Sequence, residues 1–393
     1  MLRSKRVTLS VVSAVSALAL VAAACSSKST GAQTTVKIAY QGALTGGNAT
    51  LVVPGFNAVK LAFDQANAGK FGTLPVKIQV VGEDTQGSPT QAPTVANKVA
   101  SDSSFVGVIG PAFSGESLAA GPIYDGAGIP FVTGSATRTA INQQGWAHWF
   151  RANANDDEQG PAAGNYIGKV IKPNCAFVAS DDSAYGTALA STVQSVVTNA
   201  QVPVTAQISA VATGQTDFSA LVTKIQASGC KAVFYGGYSP EAELLRPQLT
   251  QAGLSDVTLV GGDGIKDTDY TSKAGAAGEG TIATCPCVDI TKSTDPAAKT
   301  FITDYTAKVG QPPGIYSAEY YDIARMYIEA FKAGKTTRAA LTTYFDSVHY
   351  TGLTKSYTFL TNHELNQADV KIFIWKDVGG NWTFLGESSQ LGA

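Results

Sequence analysis

The feature that most constrains the fold is an alternation: a short β-branched run, a turn with Gly or Asp, then a helix-length amphipathic stretch. The strand-like runs are VKIAY (36–40), VKIQVVGED (76–84), FVGVIG (105–110), IPFVTG (129–134), AFVASD (176–181), VTAQISA (204–210), AVFYGG (232–237) and VTLVGG (257–262). Helix-length segments fall between them at 55–68, 89–102, 116–127, 158–171, 185–200, 217–228 and 240–252. Ser88-Pro89, Thr216-Asp217 and Ser239-Pro240 supply turn and cap chemistry where helices begin. A βαβα order of this kind calls for an α/β fold, with parallel sheets carrying helices on both faces. Eight such units can close one barrel or divide into two open sheets. The last third breaks the rhythm. Residues 317–332 (SAEYYDIARMYIEAFK) form an amphipathic helix, and 337–347 form another. YTFL, KIFIWKD and NWTFLG then alternate like a β-meander, which suits two lobes with several crossovers better than a barrel.

The start of the chain carries an address. Arg3, Lys5 and Arg6 precede an uncharged, mostly small or apolar run from Val7 to Ala24, which ends at Ala22-Ala23-Ala24-Cys25. A basic start, a short apolar core and small residues at the cut describe a secretory signal peptide over residues 1–24. An uncleaved membrane anchor is the plainer reading of the same run. The Ser/Thr/Gly/Gln-rich segment after Cys25 favours cleavage and reads as a flexible tether over 25–34. Removing 24 residues from 393 leaves 369, too long for one ordinary core and ample for two lobes. With 15% charged residues, a net charge of −2 and no basic stripe, nothing points to nucleic acid.

Besides Cys25 the chain has Cys175, Cys230, Cys285 and Cys287, an even number for an oxidising compartment. Cys175 and Cys230 each precede a strand-like run, and neighbouring parallel strands start close enough for bridging, so a Cys175–Cys230 disulfide is expected. Cys285-Pro286-Cys287 is left as a bridge or as free thiols. With only His148, His349 and His363 in the chain, a metal site is not expected.

Several strings, taken together and in order, carry a resemblance. They are GALTGG (42–47), VVGEDTQGSPTQAPTVANKV (80–99), GVIGPAFSGESLAAGPIYDGAGIPFVTGSAT (107–137), FRANANDDEQG (150–160), SDDSAYGTAL (180–189), TDFSALVTKI (216–225) and FYGGYSPEAELLRPQLTQAGL (234–254). Over nearly the whole mature chain the sequence resembles branched-chain amino-acid-binding proteins of the type I periplasmic-binding-protein superfamily, and Cys25 resembles a lipobox cysteine. The resemblance implies two Rossmann-like lobes, with lobe 1 at 35–151 plus 286–354 and lobe 2 at 152–285 plus 355–393. Three hinge crossovers would fall near 151–154, 284–287 and 353–357. It further implies a lipid-anchored, monomeric component of an ABC importer, with a small-molecule ligand and a membrane permease as partners and no cofactor. Two lipid chains or more at Cys25 suffice for stable attachment.

A zwitterionic ligand needs partners for both charges when it leaves water. Carried over by resemblance, Ser114, Ser135 and Thr137 would hold a carboxylate with hydroxyls and backbone N–H groups. Asp263 would meet an ammonium, and Tyr185, Tyr238 and Tyr316 would pack over the ligand. For the serines and threonine, the plainer role is turn and N-cap duty, and for Asp263 a turn beside glycine. Leu51 stands where the family often has an aromatic residue, which leaves the side-chain preference open. The alternatives are a sensor, or a binder of an amide, urea or an aromatic acid. An enzyme is disfavoured: Gly115-Glu116-Ser117-Leu118-Ala119 lacks the final glycine of a nucleophile elbow, and no phosphate-binding GxxxxGK[ST] loop is present.

Overall fold

In a computed structural model describing residues 33–391, the chain forms two open α/β sheets, not a barrel. The signal peptide, Cys25 and most of the tether lie outside the described residues. The first sheet contains β1 (Thr35–Gly42), β2 (Lys77–Asp84), β3 (Phe105–Ile109), β4 (Phe131–Thr133) and β5 (Trp149–Arg151) in the order β2-β1-β3-β4-β5, all parallel. The second contains β6 (Ala176–Asp181), β7 (Ser209–Val211), β8 (Ala232–Gly236), β9 (Thr258–Gly261) and β10 (Ile282–Cys285). Its order is β7-β6-β8-β9-β10, again parallel. Two antiparallel strands, β13 (Phe373–Val378) and β14 (Asn381–Glu387), extend it at the β10 edge. A third, two-stranded ribbon pairs β11 (Tyr350–Thr351) with β12 (Ser356–Tyr357).

The helices that link these strands are α1 (Ala49–Asn67), α2 (Ala92–Ser101), α3 (Ser114–Gly126), α4 (Asp156–Asn165), α5 (Ala184–Asn199), α6 (Ser219–Ser228), α7 (Ser239–Gln251) and α8 (Thr268–Ala274). After β10 come α9 (Pro296–Val309), α10 (Ser317–Lys332) and α11 (Arg338–Phe345). Strand order reverses between β1 and β3 and again between β6 and β8. In open α/β sheets, ligands sit beyond the carboxyl ends of the strands at such switch points. The loops after β3, β4, β6, β8 and β9 therefore frame the candidate site.

α10 is more buried than an amphipathic surface helix. All of it except Arg325, Glu329 and Lys332 is buried, because it packs between α1 and the first sheet. Its Asp322 also fixes the third crossing. The Asp322 carboxylate accepts the Leu353 and Thr354 N–H groups at 2.7 and 2.9 Å, and the Tyr357 hydroxyl at 3.1 Å. Phe359 then packs its ring 5.2 Å from Phe150, and the Arg151 N–H donates to the His363 carbonyl. Residues 353–363 are thus tied to α10, Phe150 and Arg151. The chain rejoins the second sheet at β13. The chain leaves the first sheet after β5 and the second after β10.

Cys175 and Cys230 are bonded at the starts of the paired strands β6 and β8. Cys285 and Cys287 are bonded as well, at the end of β10 where the second crossing begins. Both are buried. Among the described residues, no group of three or more metal-ligating side chains exists and no helix is long and apolar enough to cross a membrane.

Candidate functional site

The site lies between the two lobes and takes residues from both. Its cavity is lined by Leu51, Val52, Ala112, Phe113, Ser114 and Ser135 from the first lobe, with Tyr316 at the start of α10. The second lobe contributes Tyr185, Tyr238, Asp263 and Gly264. Six of the seven residues singled out from sequence meet here. Thr137 does not line the cavity.

Asp263 follows β9 and is 6% exposed. Its Oδ1 accepts from Gln159 Nε2 at 2.8 Å and from the Tyr185 hydroxyl at 2.9 Å, and its Oδ2 accepts from the Tyr316 hydroxyl at 2.7 Å. Burial pushes the carboxyl above its ordinary range, while the donors from Tyr316, Gln159 and Tyr185 pull against it. The bond from Tyr316 crosses between lobes. So do the bonds from Thr50 Oγ1 to Asp267 at 3.0 Å and from Arg138 Nη1 to the Ala184 carbonyl at 2.5 Å. Tyr316 adopts φ +59°, a left-handed conformation uncommon for a large side chain, and such outliers collect at functional sites.

Glycines make the acidic end possible. A Cβ on Gly262 would stand 2.1 Å from the Tyr185 hydroxyl and 3.1 Å from Gln159 Nε2. Gly262→Ala should therefore push two of the three donors off Asp263. We expect ligand affinity to fall by about tenfold or more in titration calorimetry, the scale of a lost hydrogen bond to a charged group. Unchanged affinity would show that this donor set does not shape the site.

The opposite end is built from the start of α3 and the loop after β4. Ser114 opens α3, and its Oγ accepts the Arg138 N–H at 3.2 Å, which leaves its own proton free to donate. Ser135 Oγ donates to the Ala112 carbonyl at 2.8 Å and lies 2.7 Å from the Tyr320 hydroxyl. Its hydroxyl is thus largely engaged inside the first lobe. The helix N-terminus adds a field that favours an anion. Buried Glu116 lies in that same first turn, and burial pushes its carboxyl up to about 7 despite the Thr85 hydrogen bond, which limits its opposition to an incoming anion.

The walls between these ends are apolar. Phe113 and Tyr238 meet edge to face at 5.3 Å across the lobes, and Tyr185 and Tyr238 lie 5.2 Å apart. Leu51 is 7% exposed and lines the cavity wall. The cavity measures about 20 Å³, room for about one water. An amino acid does not fit the cavity in this form. Sequence reasoning missed Val52, Phe113 and Gln159. For Gln159 a signal existed: it lies one helical turn after Asp156, on the same face of α4.

Known proteins share this fold. The Periplasmic binding protein family matches residues 35–380. A leucine-, isoleucine-, valine-, threonine- and alanine-binding protein of Pseudomonas aeruginosa is 31% identical over 342 residues, 87% of this chain and 90% of that protein. Among solved structures, a branched-chain amino acid transporter substrate-binding protein of Streptococcus pneumoniae, in complex with isoleucine, superposes with a TM-score of 0.79 at 23% identity. That match covers 90% of this chain and 99% of the other. A solute-binding protein of an ABC transporter from R. palustris, in complex with benzoate, superposes at 0.78 with 18% identity, covering 90% and 96%. With two open sheets, a cleft at their switch points and a family match over almost the whole described chain, this protein belongs to the periplasmic binding protein family.

Proposed function

We propose that this chain is the extracytoplasmic substrate-binding protein of an ABC importer and captures a neutral amino acid, branched-chain ones first, by hinge closure. The carrying observation is the pairing of a buried carboxyl, Asp263, with a serine and a helix N-terminus across an apolar cavity. A carboxyl at one end and anion-favouring groups at the other suit a zwitterion. Each half-site belongs mainly to a different lobe, so a ligand that satisfies both stabilises the closed form by differential affinity. A permease would then recognise that form, and Cys25 would carry the lipid anchor. The names of the relatives support the amino-acid reading. The benzoate-bound relative keeps an aromatic acid as the second one.

The test is a thermal-shift screen of the purified protein against the twenty amino acids, short amides and aromatic acids. A ligand that binds only the folded state raises the melting temperature, by about 2.7 kcal/mol of stabilisation at a hundred times its Kd. A rise with leucine, isoleucine or valine is expected. A rise only with benzoate or an amide would keep the fold and discard the ligand.

A further inference from the structure

Phe113 and Tyr238 stand between two spaces. On one side is the cavity of about 20 Å³ that has Asp263 and Ser114 on its walls. On the other is a wider chamber of about 790 Å³, lined from both lobes, whose Gln86, Pro89, Asp182 and Thr187 are exposed. Among the described residues, these two aromatic side chains are the ones that line both spaces. The spaces also differ in kind. Leu51 and Val52 make the inner wall apolar, whereas polar Asn48, Ser88, Arg138 and Asp182 line the chamber.

Phe113 occupies the N-cap position of α3, where Ser, Thr, Asp or Asn would satisfy a helix N–H and a phenyl ring cannot. The ring therefore calls for another reason. Its backbone is fixed on both sides: the Phe113 N–H donates to Glu116 Oε2 at 3.3 Å, and its carbonyl accepts the Ser117 N–H at 2.9 Å. Gly87 passes beside the ring, and a Cβ there would come within 3.4 Å of it. So held, the 6% exposed side chain meets Tyr238 of the other lobe edge to face. Tyr238 in turn lies against Tyr185, which donates to Asp263. The wall is complete only when the lobes meet. It then bounds the space into which a ligand held by Asp263 and Ser114 can extend.

We propose that Phe113 sets the upper size of the ligand: with Tyr238 it closes the cavity off from the chamber, and a side chain too large to sit behind the pair keeps the lobes apart. This deepens the amino-acid reading and rests on it, assigning aliphatic side chains to the site and excluding aromatic ones. Selection then works through closure. A large ligand meets one half-site in the open form but forfeits the contacts of the other lobe, so its affinity for the closed form is lost. Even one methylene too many in an apolar pocket is worth about 10- to 200-fold.

The experiment titrates L-alanine, L-leucine and L-phenylalanine into wild type, Phe113→Ala and Phe113→Trp by calorimetry. Small-angle X-ray scattering reads closure as a smaller radius of gyration. The wild type should bind leucine about tenfold or more tighter than phenylalanine, and compact with leucine alone. Phe113→Ala joins the cavity to the chamber, so it should gain about tenfold for phenylalanine, lose about as much for leucine, and compact around phenylalanine. Phe113→Trp fills the cavity further and should reject leucine while keeping alanine. Opposite shifts in preference are not what a merely weakened fold produces, and either variant suffices if the other does not fold. If the variants change all three affinities by one factor, or the wild type compacts around phenylalanine as it does around leucine, the proposal is overturned while the amino-acid reading stands. Benzoate and 2-naphthoate separate the two claims. If the wild type binds benzoate but no amino acid, and only Phe113→Ala takes 2-naphthoate, the amino-acid reading falls and the size limit stands. A wild type that takes both aromatic acids alike and no amino acid, or none of the five probes, overturns both.

Discussion

Replacing Asp263 with alanine is expected to weaken amino-acid binding by a hundredfold or more, about 3 kcal/mol, within the range for truncating one partner of a buried charge pair. The loss has two sources. The ligand's cation loses a carboxyl, and three buried donors lose their acceptor. Tyr316 and Tyr185 suffer most, because Asp263 accepts from both hydroxyls, whereas Gln159 Nε2 also reaches the Thr284 carbonyl at 3.0 Å. Since the Tyr316 bond joins the lobes, its loss should also make closure less favourable. Asp263→Asn separates the effects: it keeps an acceptor oxygen for Tyr316 or Tyr185 but removes the charge. The expected order of leucine affinity is wild type, then Asn, then Ala. Alanine equal to wild type in calorimetry would remove Asp263 from the site.

Much of this arrangement was legible in the sequence, and the exceptions have physical causes. β1, β2, β3, β4, β6, β8 and β9 were found because each lies in an apolar or β-branched run bounded by turn residues. β5 and β10 were missed although β4 and β9 are as short, because WFR and IATC do not stand in an apolar run closed by glycine as IPFVTG and VTLVGG do. α8 and α9 were missed although Asp267 and Asp295 act as side-chain caps, the second followed by Pro296 at the first helical position. The strand expected at 204–210 shrinks to Ser209–Val211, with a single bridge at Val204. At the site, the strand-end serines, tyrosines and Asp263 were found through resemblance, since their loops look like ordinary turns. Thr137 does not line the cavity: its carbonyl accepts the Asp156 N–H and its buried hydroxyl lies beside the Asp156 carboxyl. The string Asp156-Asp157-Glu158-Gln159 reads as a solvated helix start. Only packing against the second sheet shows that its first and fourth residues are buried while Asp157 is exposed.

The end of the cavity that favours an anion sits on a rigid frame, and Arg151 is the residue that frames it. Its guanidinium is wholly buried and donates to both oxygens of Glu364, at 3.1 and 2.9 Å, as well as to the Ala136 and Arg138 carbonyls. Those carbonyls flank Thr137, so one side chain ties the loop after β4 to the segment that leads into the third crossing. Arg151→Met should lower stability by about 3–5 kcal/mol, the cost of leaving one member of a buried pair uncompensated. Adding Glu364→Leu should recover much of that loss, because a buried ion pair exchanged for apolar side chains of similar size is often neutral. Affinity should behave differently. The two carbonyls lose their donor in both variants, so the loop carrying Ser135 and Thr137 loosens and leucine affinity stays low even where stability returns. Denaturant titration and calorimetry on the same three proteins read the two quantities separately. Recovery of both together would mean that Arg151 serves the fold alone, whereas recovery of stability without affinity would make it a positioning residue for the ligand loop.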